Sequence, residues 1–169
     1  ERVDTSVLDD AALRTLQALK LTLLRWADEQ RLHALALQCW SALQECMGIF
    51  PCFVDAELTG LGLPVACETD VHGALTALML QAAAADESPT FCADLTNRHP
   101  ENDNAELLWH CGPFPLALAD PDSEPRVTMH FEAGVPATGG WRIRGGDMTL
   151  ARLDGDHGEY SLLIDHCRG

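Results

Sequence analysis

The chain has 169 residues, 47% of them apolar, enough to build a core in one medium domain or two small ones and to exclude wholesale disorder. Its 26 acidic residues outnumber 11 Lys and Arg, and the formal charge of -15 repels nucleic-acid phosphate and anionic lipid, so neither nucleic acid nor a membrane is an expected partner. Seven cysteines, odd in number and without a CxxC pair, argue against a disulfide framework. Cys39, Cys67 and Cys92 lie in apolar runs (LALQCW, LPVACE, TFCAD), where a reduced thiol acts as a small core hydrophobe, which points to a reducing, cytoplasmic setting. No apolar stretch reaches the roughly 18 residues of a spanning helix, and the opening ERVDTSVLDD has no secretory pattern. It also lacks an initiator Met, as expected of an excerpt, a processed product or a trimmed form.

In chain order, Asp9 or Asp10 can cap a first helix over about 10–30, with Leu13, Leu16, Leu19, Leu23 and Trp26 on one face. LHALALQC reads as a short buried strand, and WSALQECMG as a helix closed by Gly48. FPCFVDAELTGLGLP is rich in turn formers, and LPVACE after it has the compact character of a strand buried on both faces, with Glu68 at its carboxyl end. The helix formers of 71–85 come next, broken by DESP. TFCAD then reads as a second strand with Asp94 at its carboxyl end, making a βαβ unit whose two strands are parallel. Beyond the polar loop LTNRHPENDN, the runs RVTMHFE, GWRIRG, DMTLARLD and GEYSLLID carry β-formers between turns. The expected fold class is therefore α/β followed by mainly β. Residues 1–100 form the end of a Rossmann-like parallel-sheet domain, and residues 105–169 form part of an antiparallel barrel or sandwich.

Side chains at the carboxyl ends of neighbouring parallel strands share one crevice, the usual ligand site of open α/β sheets. Glu68 and Asp94 both qualify, and with main chains about 5 Å apart their carboxylates would repel unless a hard divalent cation sat between them. The plainer alternative makes one a helix cap and the other a solvated loop acid. His110, in ELLWHCG, can project toward the same crevice, and imidazole beside carboxylates suits Mn²⁺ better than Mg²⁺. Its alternative is a core histidine with a satisfied hydrogen bond.

The stretch from Gln38 to Pro115, with ALALQCW, GLPVACETDVHGALTALMLQ, PTFCADLTNRHPEN and LLWHCGPFP, resembles the carboxyl-terminal half of the L-fucose/L-arabinose isomerase superfamily. The likeness rests on an acid at a strand end before a small-residue helix, a second acid about 26 positions on in an F-x-A-D strand end, and a later W-H-C-G. It implies a metal-dependent aldose–ketose isomerase that works on an open-chain sugar through an ene-diol, with Mn²⁺ as cofactor and Mg²⁺ or Co²⁺ as substitutes. Glu68 matches the family's first metal-binding carboxylate, which doubles as an acid/base group, and Asp94 matches the second. His110 resembles a histidine ligand of the arabinose-isomerase branch. Gln38 falls in a glutamine-rich segment that lines the sugar pocket, and a second role for His110 there is also implied. The family further implies a barrel after the α/β domain, a homo-oligomer (trimer or hexamer) with sites completed across subunits, and a distal histidine that His166 does not match. The alternative is a non-catalytic sugar- or metal-binding domain of the same fold.

Other signals carry less. DGDHGE at 154–159 lacks the closing acid of a calcium loop and reads as a hairpin turn. The pairs His110-Cys111 and His166-Cys167 match no common zinc spacing. Cys111 has no visible orienting partner as a nucleophile, His99 and His130 have no visible partner, and His72 opens a helix beside Glu68.

Overall fold

A computed structural model describes the chain except residues 1–2, 86–87 and 133. The elements are α1 (Asp10–Gln30), β1 (Leu35–Ala36), α2 (Ala42–Met47), α3 (Cys52–Gly60), β2 (Val65–Ala66), α4 (Val71–Ala83), β3 (Asp94–Arg98) and β4 (Glu106–Trp109). A 3-10 turn (Leu116–Leu118), β5 (Arg126–Met129), β6 (Pro136–Gly140), β7 (Asp147–Asp156) and β8 (Glu159–Arg168) complete the chain.

Helix α1 forms as its spacing predicts. Asp9 caps it, accepting from the Ala12 amide at 2.8 Å, and Arg31 closes it in the left-handed conformation. Leu16, Leu19, Leu23 and Ala27 are the buried stripe, while Trp26 is 49% exposed, so the last apolar turn is completed by Ala27 and not by the tryptophan. Helix α2 ends at Gly48, whose φ of 68° and amide bond to the Gln44 carbonyl make the expected glycine stop.

The segment expected to be turn-rich contains α3, the most enclosed helix. Phe50 and Pro51 are fully buried, and Cys52, Val54, Asp55, Ala56, Leu58 and Thr59 line almost every side of it. A helix buried all round shows no apolar stripe, which is why its periodicity is invisible in sequence. β1 and β2 pair in parallel, Leu35 against Val65 and Ala36 against Ala66. The core joins α1, β1, α3 and β2 through Leu16, Leu19, Leu23, Leu35, Val54, Leu58 and Val65, and it includes Val127 and Ala137 of β5 and β6. Backbone bonds Val127 N–H to Asp4 O (2.7 Å) and Phe50 N–H to Pro136 O (2.8 Å) fasten that later ladder to the first half of the chain.

Among the described residues the named strands after α4 pair antiparallel: β3 with β4, β5 with β6, β7 with β8. This corrects one expectation. TFCAD is not a strand parallel to β2; its pairing begins only at Asp94, which opens β3 opposite Trp109. The physical reason is the partner: LTNR of β3 finds ELLW of β4 within a short loop, a local antiparallel pairing that closes far less chain than a crossover. Beyond Gly140, which ends β6, WRIRG makes only an isolated bridge, Ile143 with Ala119, and the β5 partner is PATGG, whose small residues carry no strand signal. The β7–β8 hairpin forms as expected around a two-residue turn, His157 (φ 49°) and Gly158 (φ 83°), the pair of positive φ angles that matches the strands' twist. It lies along α4, where Leu153 N–H donates to Thr76 Oγ1 at 2.9 Å. Among the described residues no helix is long and apolar enough to cross a membrane.

Candidate functional site

The parallel pair β1–β2 sets the site. Leu35 N–H donates to Pro64 O and Leu37 N–H to Ala66 O, both at 2.8 Å, and this register leaves residues 38 and 68–69 side by side beyond the strands' carboxyl ends. Thr69 N–H returns to Leu37 O at 3.2 Å, and Thr69 Oγ1 donates to Gln38 Oε1 at 2.7 Å. The Gln38 amide nitrogen donates to the Trp40 carbonyl, so both ends of that side chain are oriented. Glu68 and Thr69 have φ of 59° and 60°. Non-glycine residues rarely adopt that left-handed conformation, a β-branched one such as Thr69 least of all, and two in succession mark a locally strained corner. The corner leaves Glu68 exposed and aims the next residue, Asp70, into α4.

Asp70 is the helix cap. Its Oδ1 accepts from Gly73 N–H at 2.8 Å, and its Oδ2 pairs with Arg152 of β7. Burial works against its charge, but the Arg152 guanidinium and the Gly73 amide outweigh that and hold the carboxyl below its ordinary value. In the run Glu68-Thr69-Asp70, then, the first side chain is open, the second orients Gln38 and the third anchors α4 to the hairpin.

The other sequence-predicted residues lie elsewhere. Asp94 is exposed at the start of β3. His110, just past β4, is partly buried, with Nδ1 3.2 Å from the Cys92 carbonyl oxygen and its ring edge-on to Phe114. Burial opposes its charge, yet bonding to Cys111 and Cys92 prevails and pushes it up to about 11. Among the described residues no three His, Cys, Asp or Glu groups converge so as to hold a metal ion. Glu68, Asp94 and His110 are thus not met as a three-ligand group among the described residues, and Asp94 pairs with Trp109 of β4 instead of ending a strand beside β2.

A second cluster, unread in the sequence, packs behind Gln38 and Glu68. Asp55 in the first turn of α3 has no exposed surface, and Cys67 Sγ approaches its Oδ2 at 3.9 Å. Its Oδ1 is buried without a hydrogen-bond partner among the described residues. Burial, reinforced by the Cys39 and Cys111 sulfurs, raises this carboxyl well above its ordinary value, so it holds its proton where a surface aspartate would not. Cys39 and Cys67 are buried core thiols as expected, but Cys92 is exposed. Cys52, the first residue of α3, meets Cys111 with sulfurs 3.6 Å apart. Bonding to Cys52 and to His110 prevails over burial and pulls the Cys111 thiol down to about 4. The available signal was positional: Cys39 follows Gln38 and Cys67 precedes Glu68, so each strand end that carries a candidate polar residue also carries a thiol.

His72, His99 and His130 acquire partners. His130 is buried and stacks on Phe50, ring centroids 4.0 Å apart. His99 accepts from the Glu101 amide through Nδ1. His72 turns toward the hairpin, 3.7 Å from Asp154 and edge-on to Tyr160, and so leaves Glu68 without it.

No protein-family model matches the chain. It is 29% identical over 156 residues to the sulfoquinovose isomerase of Alkalicoccus urumqiensis, covering 92% of this chain and 35% of that protein. The sulfoquinovose isomerase of Priestia aryabhattai is 27% identical over 135 residues, 80% of this chain and 30% of its own length. That of Clostridium sp. (strain MSTE9) is 34% identical over 97 residues, 57% of this chain and 21% of its own. The chain thus spans about a third of the length of the curated relatives that it matches most fully.

Proposed function

We propose that this chain is part of a sugar aldose–ketose isomerase and that the carboxyl ends of β1 and β2 contribute to its sugar pocket. The single observation that carries the reading is the likeness to sulfoquinovose isomerases over 92% of the chain. The juxtaposition of Gln38 with Glu68-Thr69 supports where the pocket lies. Sulfoquinovose, the sugar in the relatives' names, is the first substrate to assay. L-fucose and L-arabinose, implied by the sequence resemblance, come next.

The chemistry asks little of the protein beyond placed proton carriers. Moving a carbonyl between C1 and C2 of an open-chain sugar takes a proton from one carbon and returns it to its neighbour through an ene-diol. A carboxylate at hydrogen-bond reach serves first as base and then as acid. Glu68 holds an open side chain at a strand end and takes that role, while Gln38, its amide fixed at both ends, offers a preset hydrogen-bonding group to sugar hydroxyls. Residues 105–169, with the β5–β6 and β7–β8 ladders, are the chain's share of a barrel domain, and the active assembly is a homo-oligomer.

The test is isomerisation in D₂O by the protein that carries this chain, followed by NMR for deuterium at C1 of the ketose product. Conversion of one of the three sugars is expected, with a drop of about 100-fold or more in Glu68→Gln and no change in melting temperature. Saturable sugar binding with no ketose formed would replace this reading with a non-catalytic sugar-binding domain.

A further inference from the structure

We infer that Cys52 and Cys111 form a reversible redox site: two thiols in contact, from segments 59 positions apart, that close to a disulfide when the protein meets a hydroperoxide. The inference stands on packing and needs nothing from the isomerase reading.

The sulfurs are 3.6 Å apart. A disulfide bond is about 2.05 Å long, so each sulfur has to move less than about 1 Å, within reach of small side-chain rotations. Both backbones are held. Cys52 is fully buried at the start of α3, behind the buried Phe50 and Pro51. Cys111 precedes Gly112, whose φ of 110° is open only to glycine and whose Cα is seated so close to β6 that an added Cβ would lie 2.3 Å from the Gly139 nitrogen. The pair is therefore preset by two independently anchored segments, and only one member can be reached: Cys111 is partly exposed, Cys52 is not.

That asymmetry orders the chemistry. The Cys111 sulfur attacks a hydroperoxide oxygen; an S–O bond forms, the O–O bond breaks, and water or an alcohol leaves once the thiol proton has been transferred. The Cys52 sulfur then attacks the Cys111 sulfur; the S–S bond forms, the S–O bond breaks, and a second water leaves with the Cys52 proton. Two thiols lose two electrons in all and the peroxide gains them. A dithiol reductant reverses the reaction by thiol–disulfide exchange. The bond staples α3, which carries Asp55, to the segment after β4 that carries His110.

The test exposes the full chain to one equivalent of hydrogen peroxide, alkylates the remaining thiols and maps the peptides by mass spectrometry. The expected product is a Cys52–Cys111 cross-linked peptide pair, lost on treatment with dithiothreitol, with Cys46 and Cys92 still alkylated although both are exposed. In Cys52→Ser the cross-link disappears and a dimedone adduct accumulates at Cys111; in Cys111→Ser, Cys52 stays a free thiol. Oxidation of Cys46 or Cys92 ahead of the pair, or Cys67 joined to Cys111 in the wild-type chain, overturns the proposal. The wild-type peptide map decides the matter even where a variant fails to fold.

Discussion

Thr69 donates its hydroxyl to the amide oxygen of Gln38, 31 residues away in sequence, at 2.7 Å, tying together the carboxyl ends of two parallel strands. Parallel pairing makes this possible, since only strands running the same way end on the same side. The bond turns a flexible glutamine into an oriented one at the place where a ligand of an α/β sheet binds.

Thr69→Val keeps the shape of the corner and removes that donor. In the isomerase assay KM should rise by several fold with kcat little changed, because Gln38 loses a positioning partner and Glu68 does not. At this exposed position the stability cost is about 1 kcal/mol or less. An equal fall in kcat with KM unchanged would place Thr69 in the chemistry and not in the orientation of Gln38.

Asp70 couples α4 to β7, and its removal should be felt at both ends. Asp70→Ala is expected to cost about 1–2 kcal/mol in urea unfolding through loss of the cap, whereas the half-exposed Arg152→Ala should cost about 1 kcal/mol or less. The pH dependence follows from a carboxyl held below its ordinary value. Its contribution is present above the unfolded-state value and is lost as pH falls through the folded one, so wild type and Asp70→Asn should converge in stability at strongly acid pH.

Gly73 offers a sharper check of the same cap. By helix propensity alone, Gly73→Ala should stabilise α4 by about 1 kcal/mol. A Cβ there would lie 2.3 Å from Asp70 Oδ2, so the cap must break and the substitution should destabilise. In the double variant Asp70→Ala/Gly73→Ala that conflict is gone, and thermal denaturation should find it more stable than Asp70→Ala alone.

Asp55 should give the opposite pH slope to Asp70. Its folded-state carboxyl holds a proton that the unfolded chain releases near the ordinary 3.8, so stability is greatest below that value and declines as pH rises toward the folded value. Asp55→Asn removes this titration. Chemical denaturation across about pH 4–7 should show a flatter profile for the variant and a gain relative to wild type at the upper end; parallel profiles would show that Asp55 is ionised in the fold.

Manganese tests the carboxylate set expected from sequence. Because Glu68, Asp94 and His110 do not converge among the described residues, Mn²⁺ titrated into the 169-residue chain should release no more heat for wild type than for Glu68→Gln. Tight binding abolished by Glu68→Gln would show that these groups assemble around the ion when it is added.

Much of the local structure was legible. Asp9, the leucine stripe and the Arg31 stop act within one helix, and Gly48 and the His157-Gly158 turn act within one or two turns of chain, so short-range patterns suffice for them. Helix α3 was not legible because every face is buried and no stripe remains to be read. β6 was missed because PATGG has no side-chain bulk to announce a strand, and it exists by virtue of what β5 offers it.

The candidate site divides in the same way. Sequence alone placed Glu68 at the carboxyl end of a buried apolar run and Gln38 within another, and each of those positions depends only on its own segment. Which strands are neighbours is a property of the whole packing: it set β1 beside β2, drew Asp94 to β4, and brought Cys52 against Cys111 next to the buried Asp55. Such contacts join residues tens of positions apart, and their formation is decided by competing pairings and by burial that no single segment encodes.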